Sequence, residues 1–305
     1  MDRLVSAIIP TYNRAGYVSQ AVESVLNQTY RPIETIVIDD GSSDSTPEVL
    51  RKYRDQINYI YQERSERSKA RNEGFRHSKG DCIAFLDSDD VWLASKIQEQ
   101  VRVLDEYPSV GVVYTGVQFI DTKGAPSSER LTWDEPVREA LYEDLMTHNV
   151  ITGSLSSILV RRECLDRVGL FDESMIACED LDLYRRIAEY YEFRKIDLPL
   201  VKIRIHGENT QTGFATMARG WETTICKISK DTPPEFEYYK YEAIIKILSM
   251  LAGLSKRDAR LPSFFSFLAR SLFQRPNWVL TLGLWQALLR LSRQKYLEKP
   301  ATCED

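Results

Sequence analysis

Asp87, Asp89 and Asp90 directly follow an apolar run, Cys82-Ile83-Ala84-Phe85-Leu86. Close carboxylates repel one another and resist desolvation, so this cluster carries a cost that a divalent cation would remove. Hard carboxylate oxygens suit Mn2+ or Mg2+, and either ion can also hold a phosphate-bearing ligand. A second acidic group lies at Ala177-Cys178-Glu179-Asp180-Leu181-Asp182-Leu183. These side chains fit a helix start, where the dipole favours negative charge, and Asp182 reads as no more than that. A carboxylate projected from the same start into a cleft can instead take a proton from an attacking hydroxyl. Asp39-Asp40-Gly41-Ser42-Ser43-Asp44 ends another apolar run. Its carboxylates can accept from a base N–H or from ribose hydroxyls, or can close a turn on their own backbone. Arg71 can pair with carboxylate or phosphate through its forked donors. His206 reads equally as a structural histidine or a ligand, whereas His77 and His148 read as surface or packing residues.

The elements that must position these residues are strands alternating with helices. Apolar runs at Leu4–Ile9, Thr35–Ile38, Ile57–Tyr61 and Cys82–Leu86 read as strands. Periodic stretches at Tyr17–Asn27 and Ser68–His77 read as helices, with a further helix start at Ser45-Thr46-Pro47. Such alternation predicts an α/β fold whose parallel sheet carries helices on both faces. In such sheets ligands bind beyond the carboxyl ends of the strands, where the Asp39 and Asp87 clusters fall. Further on, Val110–Asp121, Ser156–Val160 and Glu192–Lys202 read as strands, the last broken at Pro199; Glu135–Thr147 and Glu179–Tyr190 read as helices. The first strand runs into Pro10-Thr11-Tyr12-Asn13-Arg14, with no glycine-rich phosphate loop, which counts against NAD or FAD.

At 305 residues and a formal charge of −5, the chain has the size of one large domain with an appendage or of two modest domains, and nucleic acid is not expected as the main partner. Its five cysteines form no Cys-x-x-Cys pair, so neither a disulfide framework nor a zinc site is expected and a reducing cytoplasm fits. No signal-peptide pattern or apolar run of membrane-spanning length is evident. A catalytic domain over 1–230 is expected, then a linker at Asp231-Thr232-Pro233-Pro234 and a helical extension to 305. Between Lys256 and Lys299 the extension carries nine Lys/Arg against two Asp/Glu. Trp278, Leu282, Trp285 and Leu289 share a helical face there. That face either packs back on the core or lies on an anionic membrane surface.

In order, Ala7-Ile8-Ile9-Pro10-Thr11-Tyr12-Asn13-Arg14, Val37-Ile38-Asp39-Asp40-Gly41-Ser42, Ala70-Arg71-Asn72-Glu73-Gly74, Phe85-Leu86-Asp87-Ser88-Asp89-Asp90, Val168-Gly169-Leu170-Phe171-Asp172-Glu173 and Glu179-Asp180-Leu181-Asp182-Leu183 resemble the family 2 glycosyltransferases of the GT-A fold. The resemblance covers roughly residues 4 to 210. It implies inverting transfer of a sugar from a nucleoside-diphosphate-sugar donor to a glycan or lipid-linked acceptor, as in cell-surface polysaccharide synthesis. Thr11, Tyr12, Arg14, Asp39, Arg71, Asp87 and Ser88 are then the donor-binding positions. Asp87, Asp89 and His206 are the metal positions, and Asp180 is the base. A cytoplasmic enzyme, peripheral at the inner face of the membrane, is implied. Two other readings share part of this logic. A non-catalytic nucleotide-sugar or glycan binder would need no base, and a nucleotidyltransferase would want a glycine-rich phosphate loop. The donor sugar, its base, the acceptor and the oligomeric state are left open by the residues.

Overall fold

The computed structural model describes residues 3–127, 138–147, 151, 155–206 and 214–236, with single helical positions at 239, 240, 243, 244 and 247. The expected tail helices, residues 128–137 and His148 lie outside the described residues. The chain divides into two compact units, with the break near the C-terminus falling between Gly220 and Trp221.

The first unit is built on one sheet. Its strands are β1 (Val5–Thr11), β2 (Ile33–Asp40), β3 (Asn58–Gln62), β4 (Cys82–Phe85), β5 (Val91–Trp92), β6 (Val110–Ile120), β7 (Ile158–Arg161) and β8 (Glu192–Arg204). They are ordered β3-β2-β1-β4-β7-β6-β8-β5. The half β3-β2-β1-β4 is parallel throughout. In the other half β7 runs antiparallel to both β4 and β6, β5 antiparallel to β8, and only β6 and β8 are parallel. The sheet is therefore mixed, and its parallel half is the part whose strands alternate with helices in sequence.

The helices are α1 (Val18–Leu26), α2 (Thr46–Leu50), α3 (Arg67–His77), α4 (Lys96–Glu106), α5 (Arg138–Thr147), α6 (Arg162–Val168), α7 (Glu179–Ala188) and α8 (Phe214–Asp231). Residues on one face of β1 (Val5, Ala7, Ile9) share a core with Val18, Ala21, Val22 and Val25 of α1 and with Ile97, Val101 and Leu104 of α4. On the other face α3 lies across β1 and β2, with Ala70 packed among Ile36 and Ile38. Gly74 makes this approach possible, because a Cβ there would stand 2.3 Å from Ile8 Cγ2. The close seat of α3 fixes the depth at which Arg71 enters the sheet edge.

Parallel pairing puts the carboxyl ends of β1, β2 and β4 on one edge, with Thr11 in register with Asp39. β7 runs the opposite way, so the short turn before it, Leu155–Ser157, reaches the edge where β4 ends. The last residue of β8, Arg204, is paired beside Ile120 and leads His206 toward the same edge. No helix among the described residues is long and apolar enough to cross a membrane.

Candidate active site

The site is organised around Arg71, which is 4% exposed. Its Nη2 donates to Asp87 Oδ1 at 2.8 Å and its Nη1 to Glu179 Oε1 at 2.9 Å. Arg67, one turn earlier on α3, also pairs with Glu179 at 3.2 Å. Burial alone would depress the Arg71 guanidinium, but Asp87 and Glu179 outweigh it and hold the group charged. The next residue, Asn72, holds the turn ahead of α7. Its Nδ2 donates to the Phe171 carbonyl and Glu173, and its Oδ1 accepts from the Phe171 N–H. Two adjacent residues of α3 thus hold the aspartate-bearing strand end and the start of α7 together.

Asp180 lies in the first turn of α7, after Cys178 in a left-handed conformation (φ 62°). Sequence alone leaves two opposed influences on it, the helix start and its acidic neighbours. In the structure burial dominates, the Glu179 charge adds to it, and the carboxyl is pushed up to about 6. The Leu181 N–H, which donates to Oδ1 at 2.8 Å, and the charges of Arg71 and Arg67 offset only part of this rise. Asp182 is consumed by Arg186 at 3.0 Å and Arg185 at 3.6 Å, as a purely structural carboxylate should be.

The three clustered aspartates are used differently. Asp87 turns to Arg71, and its N–H donates to Ser156 Oγ. Asp89 Oδ2 is 2.8 Å from His206 Nε2 and 3.7 Å from Arg14 Nε. His206 is held flat against Tyr17, with ring centroids 5.8 Å apart. Asp90 is buried and accepts from Ser156 Oγ at 2.7 Å and the Arg204 N–H at 3.0 Å. Burial, and then the charges of Asp87 and Asp89, raise its carboxyl well above the usual range. Ser88, between them, is also buried.

Of the sequence-derived metal set, Asp89 and His206 meet, while Asp87 is directed at Arg71. Among the described residues no group of three or more His, Cys, Asp or Glu is arranged to hold a metal ion. The pair still fits the chemistry of Mn2+ or Mg2+, which are commonly bound by one or two protein groups with water and substrate phosphates completing the shell. Arg204, at the end of β8, is spent on holding backbone and Gln20. It is 1% exposed, and its guanidinium donates to the carbonyls of Asp89, Asp121 and Thr122 and to Gln20.

At the ends of β1 and β2, Asp39 Oδ1 accepts from the Ser42 N–H at 2.9 Å and Oδ2 from the Tyr59 hydroxyl at 2.7 Å. Asp40 is a turn-forming carboxylate, accepting from Gln62, the Ser65 N–H and hydroxyl, and the Glu66 N–H. Asp44 accepts from the N–H of Ala15 and from Thr46. The Thr11 hydroxyl is buried and has no hydrogen-bond partner among the described residues. Tyr12 is 37% exposed and carries the Arg64 guanidinium 3.5 Å above its ring. Arg14 sits beside Asp89, its N–H bound to Thr46 Oγ1. His77 is an exposed partner of Glu73. Sequence reasoning missed Ser156, Tyr59 and Tyr17, which have no motif; only the fold brings them to these carboxylates.

The profile described as Glycosyl transferase family 2 matches residues 6–169. An uncharacterized glycosyltransferase of Rickettsia prowazekii is 36% identical over 271 residues, 86% of this chain and 82% of that protein. The chain belongs to glycosyltransferase family 2. The putative teichuronic acid biosynthesis glycosyltransferase TuaG of Bacillus subtilis is 32% identical over 52% of this chain and 63% of its own length. Against the rickettsial relatives the match covers 65% of the Rickettsia typhi protein and 35%, 34% and 38% of three others. Among solved structures, the mannosyltransferase PcManGT of Pyrobaculum calidifontis, in complex with GDP-Man and Mn2+, is similar with a TM-score of 0.59. It is 21% identical, covering 98% of this chain and 82% of that one. The architecture of this family 2 chain is the GT-A fold.

Proposed function

We propose that this family 2 chain transfers a sugar, with inversion, from a nucleoside-diphosphate-sugar donor to a hydroxyl of a glycan or lipid-linked acceptor in polysaccharide synthesis. The carrying observation is the Arg71 hub, which ties Asp87 at the end of β4 to Glu179 beside Asp180. A diphosphate-binding end and a proton acceptor on one rigid connection are what in-line displacement needs. The acceptor oxygen forms a bond to the anomeric carbon, the bond from that carbon to the diphosphate oxygen breaks with its electron pair, and the acceptor proton passes to Asp180. With its carboxyl at about 6, Asp180 is mostly ionised at neutral pH and more basic than an ordinary aspartate.

Thr11, Tyr12, Asp39 and Arg71 would hold the nucleoside, with Arg14, Asp87 and Ser88 toward the phosphates. Asp89 and His206 would hold the metal, with Asp87 adjoining. The ion, when bound, neutralises the charge that grows on the departing diphosphate. The likeness to a GDP-Man and Mn2+ complex supports this donor class, and the likeness to TuaG supports polysaccharide synthesis. The extension 231–305 would serve as a basic, aromatic attachment to an anionic membrane face.

The test is transfer and donor hydrolysis across a panel of nucleotide sugars, with and without Mn2+, and product configuration read by NMR. Asp180→Asn should bind donor normally and lose about 10²–10⁴-fold in turnover. Wild-type turnover in that variant would remove Asp180 from the role. Donor binding by the wild type with no transfer to any hydroxyl would favour the binding protein instead.

A further inference from the structure

Tyr184 follows Asp180 by one turn on the same face of α7, and a helical side chain leans back over the preceding turn. It is fully buried, and its ring is held edge-on by Phe193 of β8 at 6.3 Å and 82°. Among the described residues its buried hydroxyl has no hydrogen-bond partner, although a phenol in the interior ordinarily finds one. Arg71 Nε, on the hub of the site, is likewise buried without a partner. A phenol can do what neither neighbour can, because it donates one hydrogen bond while accepting another.

We propose that Tyr184 is a positioning residue for the base, its hydroxyl donating to the Asp180 carboxylate and accepting from Arg71 Nε in the working enzyme. This rests on the reading of Asp180 as base. Burial, and then the charge of Asp180, push the Tyr184 phenol well above its ordinary value, so it stays a proton donor throughout the working range. Among the described residues, charged groups that bear on Asp180 include Glu179 on its own helix and Arg71 and Arg67 on α3. Glu179 is already taken by both arginines. Tyr184 can therefore aim the Asp180 lone pair without adding a charge. The chain Arg71–Tyr184–Asp180 would also connect the leaving-group end of the site to the proton acceptor.

The experiment is the pH profile of kcat/KM for Tyr184→Phe, which keeps the ring against Phe193. A hydrogen bond to the ionised carboxylate favours the charged form, so its loss should raise the acid limb by about one pH unit. The rate then falls about tenfold below that limb and approaches wild type near pH 9. Binding of GDP and UDP with Mn2+ should not change. An unmoved limb, or an equal loss at every pH, overturns the assignment. Site-specific 3-fluorotyrosine at 184 keeps the ring and is a stronger donor. It should leave the limb at or below the wild-type position, and a limb displaced upward as in the Phe variant overturns the assignment too. Turnover surviving in Asp180→Asn would sink the base reading itself. Turnover lost there, beside a wild-type limb in Tyr184→Phe, would sink Tyr184 alone.

Discussion

Asp180→Asn should make the protein more stable while it removes activity. The carboxyl rises from 3.8 to about 6 on folding, chiefly through burial and then through Glu179. A carboxyl whose folded value is raised disfavours its charged form, so stability is highest while it is protonated and falls as pH climbs from about 4 to about 6. About two units at ~1.4 kcal/mol each give roughly 3 kcal/mol of native-state cost above that window. Asparagine is nearly isosteric, its Oδ1 can still accept from the Leu181 N–H, and it never ionises. At pH 8 the variant should therefore melt higher, by about 6–12 °C at most for a unit of this size. At pH 4 both forms are neutral at this position and the melting temperatures should converge. Scanning calorimetry from pH 4 to 8.5 measures the gap. A variant that melts below wild type at pH 8, or a gap that does not change with pH, refutes the reasoning.

Arg71→Met leaves Glu179 buried with one fewer partner and Asp87 without its guanidinium, and removing one member of a buried pair costs about 3–5 kcal/mol. A fall in melting temperature of roughly 10 °C is expected, and a change within 2 °C of zero, about the effect of a neutral surface substitution, would mean the hub is not structural. Gly74→Ala sets a Cβ 2.3 Å from Ile8 Cγ2 and should destabilise by about 1–3 kcal/mol in denaturant titration despite the better helix propensity of alanine. No loss of stability would show that α3 can retreat without cost. Reversing the charges of Arg290, Arg293 and Lys295 in the full chain should reduce co-sedimentation with phosphatidylglycerol vesicles; equal binding by both forms would dismiss membrane attachment.

The parallel half of the sheet is legible because its strands are apolar on both faces, so β1, β2 and β4 stand out as unbroken runs. The other half is not. α4 escapes a periodicity reading because its inward face carries Lys96 and Gln100. Both are fully buried and satisfied at a distance, Lys96 by Gln100 and the Ile158 carbonyl, Gln100 by the carbonyls of Val113 and Ser157. These polar side chains are interior struts between α4, β6 and the start of β7. The insertion of β7 between β4 and β6 depends on antiparallel pairing across long sequence distances, which leaves no local period. At the site the residue types were legible and their division was not. Asp39, Asp40 and Asp44 look alike in sequence, yet Asp40 and Asp44 are spent on turns while Asp39 closes one and also binds the Tyr59 hydroxyl.

The same division explains how a crowded acidic cluster persists. Asp90 turns to Ser156 and the Arg204 N–H. It is withdrawn into the interior, and Ser156 ties it to Asp87 by accepting from the Asp87 N–H and donating to the Asp90 carboxylate. Arg204 completes the arrangement from the far strand, its N–H on Asp90 and its guanidinium on the Asp89 carbonyl. Both backbone ends of the turn that carries Asp89 are thereby clamped, and its side chain is left facing His206. Burial, and then the charges of Asp87 and Asp89, raise the Asp90 carboxyl well above the usual range, so the cost of the crowding falls largely on this one group. The third aspartate therefore serves the geometry of the second, from the one position of the three that solvent does not reach.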